Sequence, residues 1–104
     1  MVDRPSTNTP PTIGPVKPIP GSAIRDRTPF ITAVVKDAET QLTKSNITTF
    51  TVDGRAKAFG YDTAQDKLVH QSSKLAYGRH TVTVEANDGQ GESTTRIWSF
   101  KVVR

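Results

Sequence analysis

Apolar and polar residues alternate with a period of two in several segments of this chain, and this pattern restricts the fold more than any other feature. The segment 80–87, HTVTVEAN, places Val82, Val84 and Ala86 on one side and its threonines and glutamate on the other. The segment 30–36, FITAVVK, alternates in the same way. Such alternation is typical of β-strands that bury one face. Because no segment shows a helical period of comparable length, the chain is predicted to be all-β.

The predicted strands are short, and turn-forming residues separate them. They cover 13–19, 30–36, 47–52, 55–61, 67–71, 80–87 and 94–103. Prolines interrupt the first of these, and a proline lacks a ladder donor, so an irregular edge strand is predicted there. Asp53-Gly54 favours a two-residue hairpin turn, since both turn positions take a positive φ. About seven strands at this spacing predict an antiparallel β-sandwich.

Two irregularities are predicted in the first half of the chain. Ile47 is out of phase with Phe50 and Val52, so a β-bulge is predicted at Thr48–Thr49. The polar stretch 37–46 is predicted to be a connection that contains one short helical turn.

The predicted core consists of the apolar residues on the inward faces of these strands. They are Ile31, Ala33, Val35, Phe50, Val52, Leu68, Val82, Val84, Ala86, Trp98, Phe100 and Val102. Trp98 is the single tryptophan and is predicted to be the main anchor, because aromatic residues dominate core burial.

Length and composition restrict the chain to one small domain without thiol chemistry. It has 104 residues, a formal net charge of +4 and no cysteine, which excludes disulfides and thiolate metal sites. No apolar run approaches the roughly 20 residues that span a bilayer. Residues 1–11 are rich in Pro, Ser and Thr and are predicted to be a disordered linker, followed by one domain at 12–104. They also lack the apolar stretch of a signal peptide, so any export signal of the parent protein is expected outside this segment.

A series of short motifs occurs in the second half of the chain. The sequence reads TVDG at 51–54, LAYGRHTVTV at 75–84, AND at 86–88 and WSFKV at 98–102. In this order and spacing it resembles the bacterial immunoglobulin-like modules, which are similar in architecture to fibronectin type III and cadherin-like domains. The resemblance implies an immunoglobulin-like β-sandwich within a large bacterial or phage surface or secreted protein. The roles it implies are a spacer, an adhesive repeat or an accessory domain of a polysaccharide-acting enzyme.

Acidic residues in the loops are the first candidates for a metal site. Asp37 and Asp88 follow the strands at 30–36 and 80–87, and a seven-stranded sandwich brings these two loops to one end. Calcium takes several hard oxygen ligands, so a calcium site shared by Asp37 and Asp88 is one hypothesis. No calcium-loop motif accompanies them, and aspartates also form turns by accepting bonds from their own backbone. Turn formation is therefore the preferred prediction, with no cofactor.

The two histidines, His70 and His80, are the candidates for acid–base chemistry. Neither has a second ligand or a serine nucleophile at a suitable spacing, and no nucleophile elbow or phosphate loop is present. His80 opens a strand where many sandwiches place a tyrosine that hydrogen-bonds backwards across a corner. A structural hydrogen bond is predicted for His80, and the chain is predicted not to be an enzyme.

The excess of positive charge supplies candidate ligand-binding residues. Arg25 and Arg27 form one pair and Arg55 and Lys57 another, each spaced so that an extended segment presents both side chains on one face. No aromatic residues are interleaved with them to stack bases, so nucleic acid is not an expected partner. A solvated surface is the preferred interpretation, and an acidic polysaccharide or cell-wall polymer is the alternative.

Exposed aromatic rings are candidates for contact with sugars. Phe59, Tyr61 and Tyr77 are the residues that qualify, and Phe59 and Tyr61 share one face of the predicted strand 55–61. Both interpretations stay open for that face: packing against the core, or contact with a sugar or a protein.

These observations favour a non-catalytic extracellular or cell-surface module that acts as a spacer or adhesive repeat in a larger protein. The alternatives are an accessory polysaccharide-binding module and a calcium-stiffened, cadherin-like adhesion domain. The expected partners are neighbouring domains of the same polypeptide, with a polysaccharide or cell-wall polymer as the second class. No membrane insertion is expected, and the isolated domain is predicted to be a monomer.

Overall fold

A computed structural model describes residues 9–104, which form two β-sheets. The strands of this part of the chain are β1 Thr12–Lys17, β2 Ala23–Ile24, β3 Phe30–Lys36, β4 Ile47–Val52, β5 Arg55–Ala56, β6 Gly60–Asp62, β7 Lys67–Gln71, β8 Gly78–Asn87 and β9 Ser93–Val102, and one 3₁₀ turn occupies Lys44–Asn46. The predicted all-β class is confirmed, and so is the short helical turn before β4. No helix within the described part of the chain is long and apolar enough to cross a bilayer.

The two sheets contain four and five strands. The smaller has the order β1-β3-β7-β6, and the larger has the order β2-β9-β8-β4-β5. β1 is an edge strand, as predicted from its prolines, and its pairing with β3 shifts register between Ile13 and Val16. β2 was not predicted, and it pairs with β9 in parallel rather than antiparallel. A strand of two residues is too short to show an alternating pattern in the sequence.

The core lies between the sheets and contains all twelve residues predicted for it, each buried. Four further apolar residues are also buried there: Ile13, Val16, Leu42 and Ile47. Ile47 reaches the core because the pairing of β4 with β8 shifts register between Ile47 and Thr49. The predicted bulge is therefore confirmed, and it returns the out-of-phase isoleucine to the buried face.

The hairpin turn after β4 is confirmed, but the strand predicted after it is wrong. Asp53 and Gly54 have φ values of 55° and 80°, as a two-residue turn of this type requires. The returning strand β5 contains only Arg55 and Ala56. The chain then crosses to the other sheet, where β6 pairs with β7. The segment 55–61 is therefore divided between two sheets, and this division together with the unpredicted β2 raises the strand count from about seven to nine in the described residues.

The chain enters this fold at one end and leaves it at the other. Thr12 of β1 is paired with Lys36, where β3 ends. Val102 of β9 is paired with Gly78, where β8 begins. The connection 72–77 joins Gly78 directly to the end of β7, which lies beside the start of β3. We call the end near Thr12 the entry end and the end near Val102 the exit end.

The predicted linker falls largely outside the described residues, which begin at position 9. Its last residues contact the domain at the entry end. The backbone N–H of Thr9 donates to Glu39 Oε1 at 2.9 Å. The Thr94 hydroxyl donates to the Pro11 carbonyl at 2.6 Å. Thr9 and Pro11 are thus hydrogen-bonded to the folded domain.

Candidate functional site

A hydrogen-bonded cluster at the exit end joins the hairpin turn to the start of β8. His80 Nδ1 lies 2.6 Å from Asp53 Oδ2, and His80 Nε2 lies 2.7 Å from the carbonyl oxygen of Ala76. Asp53 Oδ1 also accepts the backbone N–H of Thr81 at 2.9 Å. The predicted backward hydrogen bond of His80 is confirmed. Its partner Asp53 was not predicted, because the two residues are far apart in sequence and meet only through sheet pairing.

The geometry of this cluster favours a protonated imidazole. Both ring nitrogens of His80 face oxygen atoms that accept hydrogen bonds, so only the imidazolium donates to both at once. Burial by itself lowers the pKa of His80, but the bonds to the Ala76 carbonyl and to Asp53 outweigh this effect and hold the pKa above its usual value. For Asp53, burial by itself has the opposite effect and raises the pKa. This effect is outweighed by the bonds from His80 and the Thr81 amide and by the charges of His80 and Lys57, which hold the pKa of Asp53 below its usual value.

A cleft of about 520 Å³ lies beside this cluster. The hairpin β4–β5 forms one wall, and the connection 72–77 forms the other. Arg55 and Lys57, a predicted candidate pair, both line the cleft, together with Lys74 and His70. Sequence reasoning missed Lys74, which is isolated in a polar connection and shows no pattern of its own. Several cations around one concave surface can attract an anionic group.

His70 is held by contacts of its own. Its Nδ1 lies 2.6 Å from the carbonyl oxygen of Ala58, and its ring centroid is 5.2 Å from that of Phe50. The side chain therefore fastens the crossover after β5 to the strand β7.

The other predicted basic pair is arranged differently. Arg27 donates from Nε to the Leu75 carbonyl at 2.8 Å, and its guanidinium carbon lies 4.3 Å from the centroid of the Tyr77 ring. The guanidinium carbon of Arg104 lies 5.0 Å from the same centroid. Tyr77 is 46% exposed but is stacked with two guanidinium groups. Arg25 is exposed and does not line the basic cleft.

Phe59 and Tyr61 both pack against the core, which is one of the two interpretations left open for them. Phe59 packs edge-on against Phe50, with ring centroids 5.5 Å apart, in the crossover between the sheets. Tyr61 lies on β6 and donates its hydroxyl to the Val35 carbonyl. Burial, followed by the nearby Asp66 carboxylate, raises the pKa of Tyr61 to about 12. Both rings pack against the core, which leaves no paired platform for a sugar.

Asp37 and Asp88, the calcium candidates, each organise a turn. Asp37 Oδ1 accepts the backbone N–H groups of Glu39 and Thr40 at 2.8 and 3.1 Å. Asp88 is buried, and its Oδ1 accepts the N–H groups of Gln90 and Glu92 at 2.6 and 3.1 Å. Within residues 9–104 no group of three or more His, Cys, Asp or Glu side chains is arranged to hold a metal ion. The contacts therefore agree with the preferred interpretation of both residues as turn formers.

The chain matches no protein-family model, and a search of curated proteins returns no matching sequence. The candidate site is accordingly defined by its geometry: the basic cleft and the Asp53–His80 pair beside it.

Proposed function

We propose that this chain is an immunoglobulin-like module without catalytic activity, which serves as a spacer or interaction domain in a larger bacterial surface or secreted protein. Its direct partners are the neighbouring domains of the same polypeptide. The extracellular or cell-surface location rests on the resemblance to bacterial immunoglobulin-like modules.

The order of the strands supports an immunoglobulin-like arrangement. In constant-type immunoglobulin domains the first, second, fifth and fourth strands form one sheet, and the third, sixth and seventh form the other. The sheet β1-β3-β7-β6 follows the first pattern if the two-residue strands β2 and β5 are set aside, and β9-β8-β4 follows the second. The bond from His80 to Ala76 occupies the place of the backward tyrosine bond in such sandwiches.

The observation that carries the spacer role is the placement of the chain ends. β1 begins at the entry end beside Lys36, and β9 finishes at the exit end beside Gly78. The ten-residue strands β8 and β9 connect the two ends. At about 3.4 Å per residue they separate the ends by roughly 30 Å. A domain of this kind adds a fixed length to a chain of domains.

The test measures the distance between the two ends. The chain has no native cysteine, so spin labels can be placed at Thr12→Cys and Arg104→Cys, both at exposed positions. Pulsed electron paramagnetic resonance should give a narrow distribution centred at roughly 30–40 Å. A matched control uses Thr12→Cys with Gln90→Cys, which places both labels at the entry end and should give a much shorter distance.

Two outcomes would contradict the proposal. A distance below about 20 Å for the first pair would place both chain ends together, as in a domain inserted at the side of another. A broad distribution would show that the module does not transmit a fixed length.

A further inference from the structure

The basic cleft has more positive than negative charge on its walls. Arg55, Lys57 and Lys74 are the permanent cations that line it. Asp53 is the lining carboxylate, and it is already engaged with His80 at 2.6 Å. The Asp53–His80 pair is neutral as a whole when the imidazole is protonated. The walls therefore keep an excess of positive charge, of which only Lys57 interacts with the Asp53 carboxylate.

Among the described residues none of these three side chains forms a hydrogen bond or an ion pair, and Lys57 interacts with Asp53 only through its charge. All three are exposed, and within residues 9–104 the one ion pair is that between His80 and Asp53. Like charges around one concavity repel each other, and its walls concentrate their field on any group that enters. The arrangement favours a negatively charged occupant.

We propose that this cleft is a binding site for a carboxylated polysaccharide. Arg55 supplies a planar guanidinium that fits a carboxylate with two parallel hydrogen bonds. Lys57 and Lys74 supply point charges from the facing walls, so that carboxylates on successive sugar units are neutralised together. This goes beyond the spacer role, which needs no ligand.

Two features of the walls favour a sugar acid over a nucleic acid. The Asp53 side chain is 45% exposed, so its carboxylate can accept hydrogen bonds from sugar hydroxyls. The Ser73 hydroxyl also lines the cleft and can exchange hydrogen bonds with sugar hydroxyls. None of the described lining residues is Phe, Tyr or Trp, so the cleft offers no stacking platform for bases.

The experiment titrates the full chain with tetragalacturonate and follows backbone amides by two-dimensional NMR. The fully methyl-esterified tetramer is the matched neutral ligand, and a 12-nucleotide oligothymidylate is the nucleic-acid probe. The triple variant R55Q/K57Q/K74Q removes the cleft cations. The control K17Q/K36Q/K67Q removes the same number of charges from the other sheet. Dispersed spectra of both variants establish that they fold.

The proposal expects shifts confined to 53–57 and 72–76 on addition of tetragalacturonate. Affinity should fall at least tenfold in the cleft variant and stay within twofold in the control, and the neutral ester should not bind. Several results would overturn it: no binding by the unmodified chain, equal loss in the two triple variants, or shifts elsewhere. Tighter binding of the oligothymidylate would assign the cleft to nucleic acid instead. The spacer test above does not depend on any of these results.

Discussion

The Asp53–His80 pair should make the stability of this domain depend on pH, and the substitution Asp53→Asn isolates that effect. Asparagine tolerates the positive φ of 55° at this turn position and retains an oxygen for the Thr81 N–H. Its amide can donate to a neutral His80 but cannot stabilise the imidazolium. The substitution therefore preserves the turn and removes the charge that holds the proton on His80.

The size of the effect follows from the exposure of the two side chains. His80 is 9% exposed, but Asp53 is 45% exposed, so water screens the pair. A hydrogen bond between charged groups is worth about 1.5–3 kcal/mol when shielded, and exposed ion pairs are worth less than about 1 kcal/mol. We expect Asp53→Asn to lower the free energy of unfolding by about 1–2 kcal/mol near pH 5.5. In a domain of this size that corresponds to a fall in Tm of roughly 5–10 °C.

The pH window follows from the directions of the two pKa shifts. The pKa of His80 is raised, so its contribution is complete below the unfolded value of about 6.5 and is lost as the pH rises through the folded value. The pKa of Asp53 is lowered, so its contribution is present above about 3.9 and is lost as the pH falls through the folded value. The pair therefore stabilises the domain most between about pH 4 and 6.5. The difference in free energy of unfolding between the unmodified chain and Asp53→Asn should therefore be smaller at pH 9 than at pH 5.5.

Urea unfolding followed by the fluorescence of Trp98 measures this difference, because Trp98 is the single tryptophan and is buried. Asp66→Asn is the matched control: Asp66 also has a positive φ, 53°, and has no histidine partner among the described residues. Its effect on stability should not change between pH 5.5 and 9. If Asp53→Asn lowers the free energy of unfolding by the same amount at pH 5.5 and at pH 9, the argument that the imidazolium is the stabilised form is refuted.

Three further predictions concern the core and the turns. Trp98→Ala should destabilise by about 3–5 kcal/mol, measured by circular dichroism during urea unfolding, whereas Ile97→Ala, at a side chain 64% exposed, should cost less than about 0.5 kcal/mol. Tyr61→Phe loses the bond to the Val35 carbonyl and should cost about 1 kcal/mol; it should also abolish the tyrosine absorbance step near pH 12. Gly54→Ala meets no atom within 4 Å, so its expected loss of about 1–2 kcal/mol in thermal unfolding comes from the positive φ of 80° alone.

Local sequence patterns predicted the parts of the fold that depend on local physics. The alternation in 80–87 placed Val82, Val84 and Ala86 on the buried face, and all three are fully buried. The phase error at Ile47 correctly indicated a bulge. These predictions succeeded because side-chain direction in a strand depends on position within the strand, whichever strands lie beside it.

Local sequence patterns do not predict which distant segments pair with each other. The pattern in 55–61 predicts one strand, but the chain changes sheets where Phe59 packs against Phe50. The candidate site shows the same limit. Arg55 and Lys57 were recognised as a pair, whereas Lys74 joins them only because the connection 72–77 faces the hairpin across the cleft. No local signal in a sequence records such an approach.

The position of the basic cleft connects the two proposed roles. The connection 72–77 forms one wall and leads directly into Gly78, which is paired with Val102 where β9 ends. In a polypeptide that continues into a second domain, that domain would begin close to the cleft and would restrict access to it. We therefore expect two copies of residues 9–104 joined directly head to tail to contain two unequal sites for tetragalacturonate, the weaker one at the junction. Calorimetric titration should then resolve two affinities, and introducing R55Q/K57Q/K74Q into the second copy should leave only the weaker one. Two equal affinities would mean that the cleft operates independently of the neighbouring domain.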